Sequence, residues 1–333
     1  MSRSAAPVVT VLCDTHRPPG MAVVEDRADV RYVRADELRD ALRGADVFFC
    51  WDFLSPALRT AWPGADSLRW VHIASAGVDR LLFPELVESP VVVTNSRGTF
   101  DRPIAEWVLA VVLAWAKDLP TIWRLQERRE WRHRDAERIE GRSVLVVGTG
   151  GIGRAIARLL RVAGMVVSGA GRTPRSKDPD FGEVFASGDL REIVGGVDLL
   201  VVAAPLTPQT QGLVDADVLA RMRPTARLIN VGRGPIVDEK ALVTALRAGT
   251  IAGAALDVFS VEPLPADSPL WSAPGTLVSP HMAGDTVGWL DDLAALFVTN
   301  FERWMDGEPL QNVVDKRLGY VPGVDRPPGE GTT

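Results

Sequence analysis

Two cysteines, Cys13 and Cys50, are all that the 333 residues contain. Their spacing forms neither a metal-ligand pair nor a disulfide framework, so no metal is expected. Both stand in apolar surroundings and read as reduced core residues of a cytoplasmic protein. No apolar run approaches the length that crosses a bilayer. The segment Met1–Pro7 has no apolar core of the secretory-signal kind before the strand-like run at Val8. Positive charge is also scarce: 37 Lys and Arg against 43 Asp and Glu leave a net charge of −6. That balance argues against a nucleic-acid partner. There is no repeat of solenoid period, and the one biased stretch is the Pro- and Gly-rich tail beyond Gly319, expected to be mobile.

A further absence is local. Between Gly153 and Asp178 there is no acidic residue. Just before that gap lies Arg142-Ser-Val-Leu-Val-Val-Gly148-Thr149-Gly150-Gly151-Ile152-Gly153, an apolar run ending in G-x-G-x-x-G spacing. A helical pattern follows, then a second Val-rich run reaching Gly171-Arg172-Thr173-Pro174-Arg175. In this β-α-β setting the first glycine permits a tight turn, the second lets a pyrophosphate approach the backbone, and the third lets helix pack on strand. About twenty residues on, an acidic side chain ordinarily takes the ribose 2′-hydroxyl of NAD. Gly171-Arg172 stands there instead. A guanidinium pairs with a 2′-phosphate that a carboxylate would repel, so NADP is the preferred cofactor and NAD the alternative. Solvated loop charge is the other reading of Arg172 and Arg175.

What is present is ample apolar material, 46% of the chain, and length enough for two domains. Strand-like runs fall at Val8–Leu12, Val30–Val33, Val47–Cys50, Trp70–Ile73 and Val91–Thr94, with helical patterns such as Asp36–Arg43 and Ser55–Ala61 between them. A second series runs from Ser143 through Met165–Ser168, Leu199–Ala203, Leu228–Val231, Ala254–Val258 and Thr276–Val278. Alternation of this kind predicts an α/β protein with two doubly wound parallel sheets. Residues 1–101 with 286–333 are expected to form one domain, and 102–285 the dinucleotide-binding one. A long helix is predicted from Ile104 to about Trp131, with Trp107, Trp115, Trp123 and Trp131 returning to one face for core or dimer contact. Another is predicted over Trp289–Met305, positioned to pack on the first domain.

Three charged residues stand just past strand-like runs of the second series: Arg233, Glu262 and His281. In an open parallel sheet such positions converge on one crevice at the carboxyl ends of the strands. Each taken singly reads as an ordinary loop residue. Together they make a coherent chemical set. Arginine can fork onto a carboxylate and polarise a carbonyl, and histidine can move a proton near neutral pH. A glutamate can hold the imidazole in one orientation and pair with its charged form.

With these blocks in order the chain resembles the D-2-hydroxyacid dehydrogenase family from about Val8 to Tyr320. The carrying segments are Val146–Arg154, Ala204-Pro-Leu-Thr-Pro-Gln-Thr-Gln-Gly212, Ile229–Glu239, Ala255–Pro265 and Ser279-Pro-His-Met-Ala-Gly284. The resemblance implies a Rossmann nucleotide-binding domain and a flavodoxin-like substrate domain. It implies that Arg233 binds the substrate's carboxylate and carbonyl, that His281 is the acid/base, and that Glu262 is its partner. It further implies cofactor contacts from Ala204, Pro205, Leu206 and Thr207, from Asn230, Val231, Gly232 and Arg233, and from Asp257, the last to the nicotinamide amide. Ser75-Ala76-Gly77-Val78 would hold the substrate carboxylate through backbone N–H groups. Family members are usually homodimers that clasp through the helix beginning near Ile104. The Gly171-Arg172 departure resembles the NADPH-dependent glyoxylate/hydroxypyruvate reductases. Phosphoglycerate enzymes commonly carry an arginine where Ile73 stands, and that branch often adds a regulatory domain not found here. The expected reaction is therefore reduction of a small 2-oxo acid to the D-2-hydroxy acid. The rivals are a dinucleotide-sensing regulator, a NAD-dependent phosphoglycerate-like dehydrogenase, and a formate or phosphonate oxidiser. Glu262 argues against formate enzymes, whose histidine partner is Gln.

Overall fold

The computed structural model describes residues 6–14 and 16–322, so the tail from 323 onward, including most of the stretch expected to be mobile, lies outside the described residues. The chain divides into two compact units, one of residues 1–99 with 286–333 and one of residues 100–285.

In the first unit β1 (Val8–Leu12), β2 (Asp29–Val33), β3 (Val47–Cys50), β4 (Trp70–Ile73) and β5 (Val92–Asn95) form a parallel sheet in the order β2-β1-β3-β4-β5. This is the flavodoxin-like order. Val-Phe-Phe-Cys and Trp-Val-His-Ile are buried along their whole length, as strands covered on both faces must be. The helix Trp289–Met305 belongs to this unit and covers the sheet. Phe297 stacks on Phe49 with ring centroids 4.0 Å apart and on Trp70 at 5.4 Å.

His72 is enclosed in that aromatic layer, with Nδ1 2.8 Å from Thr94 Oγ1 and Nε2 3.3 Å from Ser96 Oγ. Burial pushes its pKa down to about 3. The folded imidazole stays neutral while the unfolded one takes a proton below about pH 6.5. The unfolded state then binds more protons, and stability falls as the pH drops from about 6.5 toward 3. The expected slope approaches ~1.4 kcal/mol per pH unit. Urea unfolding compared at neutral and mildly acidic pH checks this, and His72→Gln should remove this component of the slope.

The second unit contains β6 (Ser143–Val147), β7 (Val166–Gly171), β8 (Arg175–Asp178), β9 (Gly182–Ala186), β10 (Leu199–Val202), β11 (Arg227–Asn230), β12 (Gly253–Leu256) and β13 (Thr276–Val278). Their order is β13-β12-β11-β10-β6-β7-β9-β8. All neighbours are parallel except β8, which runs antiparallel to β9 at the sheet edge. The expectation of a wholly parallel sheet is corrected there. Arg-Ser-Lys-Asp carries no apolar signal because an edge strand is kept from further pairing by charge. The rest is the Rossmann arrangement, with the strand order reversing at β6.

The long helix is also corrected. It is two helices, Asp101–Ala116 and Leu119–Glu127, separated by Asp118 in the left-handed region at φ 50°. Pro120 has no N–H for the carbonyl four residues back, and its ring would crowd that carbonyl, so one helix cannot run through it. The tryptophan stripe dissolves with the break. Trp115 lies under the Arg227 guanidinium at 5.6 Å, whereas Trp123 is exposed and Trp131 falls beyond the second helix, fully exposed. Cys50 is buried and Cys13 only half-buried, so the expectation of two core cysteines holds for one. Cys13 stands just past β1, where the chain leaves the core.

Candidate active site

Six adjacent parallel strands of the second unit each end in a candidate residue. Across the sheet from β13 to β7 these are His281, then Asp257 and Glu262, Arg233, Ala204-Pro205-Leu206, the glycine loop 148–153, and Gly171-Arg172-Thr173. All follow the carboxyl ends of their strands, where open sheets of this kind bind ligands.

The glycine loop is shaped by close contacts. Gly148 has φ +108°, and a Cβ on it would strike the backbone of Ala203 and Ala204. A Cβ on Gly153 would overlap the carbonyl oxygen of Gly148. Around Gly150 the space is open, with no atom within 4 Å of where its Cβ would be. The helix Gly151–Val162 starts there, so its first N–H groups have no acceptors within the helix. An open, Cβ-free approach to a helix N-terminus suits a dinucleotide pyrophosphate. Thr149 and Ile152 are half-buried beside it.

Gly171 ends β7 buried, and Arg172 and Thr173 follow it exposed. Arg175 is differently placed. Its Nε donates to Asp178 at 2.7 Å and its Nη1 to the Thr173 carbonyl at 3.2 Å. Asp178 also takes both terminal nitrogens of buried Arg154, at 3.1 and 3.0 Å, and Asp180 is shared between Arg154 and Arg158. Burial works to raise the Asp178 pKa, but the hydrogen bonds from Arg154 and Arg175 outweigh it and hold the carboxyl well below the usual range. The first acids after the gap are therefore engaged by arginines from the helix and the edge strand.

At the other end of the sheet His281 Nδ1 lies 3.0 Å from Glu262 Oε2. The remaining Glu262 oxygen accepts the Phe259 N–H at 2.9 Å, which fixes the carboxylate. His281 sits at φ 53°, a left-handed conformation that must be held by its surroundings. Asp257 supplies the hold. Its Oδ1 accepts from Ser279 Oγ at 2.6 Å and from the Met282 N–H at 2.9 Å, and its Oδ2 accepts the Ala283 N–H at 3.0 Å. Sequence reasoning singles out Asp257 only for a cofactor contact. Asn230 is likewise expected only along the cofactor, yet its Oδ1 accepts the Gly232 N–H while its Nδ2 donates to the Arg233 carbonyl. An Asn followed two residues later by Gly at a strand end is the available signal. Those bonds shape Val231-Gly232-Arg233, and Arg233 itself is half-buried with Nη1 on the Gly232 carbonyl at 2.8 Å.

In the first unit, Ser75-Ala76-Gly77-Val78 follows β4. Its carbonyls are engaged: Ser96 N–H donates to Ser75, Asn95 Nδ2 to Ala76 and Ser75 Oγ to Gly77. The loop is thereby fixed through its acceptors. Asn95 has no motif of its own to announce it. Ile73, the last residue of β4, is buried. Among the described residues no cluster of three or more His, Cys, Asp or Glu could hold a metal, and no helix is long and apolar enough to cross a membrane.

Comparison with known proteins agrees with this layout. The family model of the D-isomer specific 2-hydroxyacid dehydrogenase NAD-binding domain matches residues 109–283. Glyoxylate/hydroxypyruvate reductase B of Pectobacterium carotovorum is 33% identical over 261 residues, covering 76% of this chain and 81% of that one. A D-isomer specific 2-hydroxyacid dehydrogenase of Xanthobacter autotrophicus, solved with NADPH and MES, has a TM-score of 0.78 at 34% identity over 95% of this chain and 100% of that one. An NADPH-dependent glyoxylate/hydroxypyruvate reductase of Sinorhizobium meliloti, solved with NADP and malonate, has a TM-score of 0.79 at 30% identity over 96% and 100%. With more than half its length matched, and two-domain α/β neighbours along nearly all of it, the chain belongs to the D-isomer specific 2-hydroxyacid dehydrogenase family, NAD(P)-dependent oxidoreductases acting on CH–OH groups.

Proposed function

We propose that the protein reduces a small 2-oxo acid, glyoxylate or hydroxypyruvate foremost, to the D-2-hydroxy acid, with NADPH preferred over NADH. The observation that carries the chemistry is the His281–Glu262 pair at 3.0 Å on the strand-end edge that also bears Arg233 and the glycine loop. The loop Gly148–Gly153 and the first turn of its helix would hold the pyrophosphate, with Ala204, Pro205, Leu206, Val231 and Gly232 along the dinucleotide. Bound there, the cofactor supplies the hydride.

The chain's own groups do the rest. In the second unit the Arg233 guanidinium binds the substrate carboxylate, and in the first the backbone N–H groups of Ser75–Val78 are suited to a carboxylate. Arg233 also polarises the carbonyl, and its hold tightens as negative charge builds on that oxygen, so it favours the transition state over the bound ground state. With Nδ1 turned to Glu262, His281 presents Nε2 as the proton donor to the developing alkoxide. Asp257 keeps that ring in place by holding the backbone just after it, and its Oδ2 retains capacity for a nicotinamide amide. Burial of Ile73 in the strand, where phosphoglycerate enzymes carry arginine, supports a substrate without a phosphate.

Arg172 and Thr173 would take the 2′-phosphate, with Arg175 bracing that turn through the Thr173 carbonyl. The exposed Leu113, Ile122 and Trp123 on the two helices after residue 100 support assembly as a homodimer, and the two unpaired cysteines support a cytoplasmic location. Oxidation of NADPH by the purified protein with glyoxylate and hydroxypyruvate, with the product resolved by chirality, tests the reaction. Arg172→Asp tests the cofactor half. It should lower the NADPH-to-NADH ratio in kcat/KM at least about tenfold, the worth of one charge-assisted contact. An unchanged ratio would count against Arg172 while leaving the reductase assignment standing.

A further inference from the structure

β7 ends Gly169-Ala170-Gly171, and neither glycine has the positive φ that would require one. Space requires them. Being two apart on a strand, they present the same face. A Cβ on Gly171 would lie 2.9 Å from Thr149 Oγ1 and 3.2 Å from Thr149 Cγ2. A Cβ on Gly169 would lie 3.0 Å from the Phe181 ring and 3.2 Å from the same Thr149 methyl. The second residue of the glycine loop thus rests on the strand end where NAD-selecting relatives of this fold carry an acid.

We propose that Thr149 is a specificity-determining residue for the cofactor: its branched side chain fills the room an acidic side chain at position 171 would need. Preference for a 2′-phosphate is then set twice, by Arg172 as an attraction and by Thr149 as an exclusion. The inference rests on the reading that the adenosine 2′-position lies at the end of β7.

Rotation does not relieve the clash. Thr149 has two heavy γ atoms and three staggered positions, and two of those positions face Gly171. Every rotamer therefore leaves at least one heavy atom against an added Cβ, before the carboxylate beyond it is placed. The floor beneath is firm as well. Phe181 lies 5.6 Å from the Arg154 guanidinium, and its N–H is held by Asp178 Oδ1 at 3.2 Å. The arginine–aspartate network thereby fixes the far wall of the space that Gly169 and Thr149 share.

The test is a double-mutant cycle on the full chain, using Gly171→Asp, Thr149→Ala and both together. Thermal unfolding of the apo protein and Kd for NADH and NADPH are read for each. Gly171→Asp alone should lower Tm and gain no NADH affinity. The pair should recover Tm and bind NADH at least tenfold more tightly than Gly171→Asp alone. Gly171→Ala, which adds only the Cβ, should cost Tm beside the native Thr149 and nothing in the Thr149→Ala background, where both γ atoms are gone. Gly171→Asp that is as stable and as NADH-competent as the double variant overturns the proposal, and so does a Gly171→Ala cost that is the same in both backgrounds. A wild type that binds NADH more tightly than NADPH overturns the phosphate reading instead, and the Tm cycle still reports the steric coupling separately.

Discussion

Replacing His281 with Asn is expected to cut 2-oxo acid turnover at least ~10²-fold, the contribution of a positioned general acid, while dinucleotide affinity and Tm stay close to wild type. Asn fits the left-handed backbone that His281 adopts at φ 53°. The loop is held by Asp257 through Ser279, Met282 and Ala283, not through the imidazole. What is lost is a group able to donate a proton from the position of Nε2. Glu262→Gln should cost less, because the amide can still orient the ring but no longer pairs with its charged form. Steady-state kinetics with NADPH, beside a melting curve for each variant, separate a chemical loss from a structural one. Near wild-type turnover in His281→Asn would remove the proposed proton donor.

The second large effect is steric. Gly153→Ala places a methyl inside the Gly148 carbonyl oxygen. Strand β6 and the helix Gly151–Val162 must separate to admit it. Overpacking of this kind costs ~3 kcal/mol or more, which for a unit of this size is a Tm loss of roughly 6–12 °C. NADPH affinity should fall with it. Gly150→Ala is the contrasting case: its Cβ meets nothing in the protein, so Tm should hardly change. It would nonetheless project into the opening assigned to the pyrophosphate, and NADPH should bind at least ~10-fold more weakly. Calorimetry on the two variants tells a fold defect from a blocked site. Equal Tm losses in both would contradict the assignment of that opening.

Much of this architecture is legible from residue order, for physical reasons. Parallel strands covered on both faces are continuous apolar runs, so β1, β3, β4 and β13 could be delimited as they stand. A glycine pattern between two such runs marks a turn that backbone and ligand approach closely. The charged residues past β11, β12 and β13 follow from the rule that loops at carboxyl ends carry the chemistry. Other features were illegible because they depend on partners distant in sequence. β8 is polar, and it is a strand only because β9 returns beside it. The helix break at Asp118 has a sequence cause in Pro120, but tryptophans at eight-residue steps obscured it. Asp178 and Asp180 close the acid-free gap, yet nothing local says that Arg154, buried on the preceding helix, engages both. Asn95 and Asp257 act by holding backbone, which no motif announces. Thr149 belongs with them, since its importance emerges only where it meets Gly169 and Gly171.

The most direct test of the proposed function is kcat/KM for NADPH and for NADH, measured side by side with hydroxypyruvate on the wild-type protein. Turnover with NADPH at least about tenfold more efficient than with NADH is predicted, as one charge-assisted contact to the 2′-phosphate requires. Equal use of the two, or a preference for NADH, would contradict the cofactor assignment, and no oxidation of either would contradict the reductase itself.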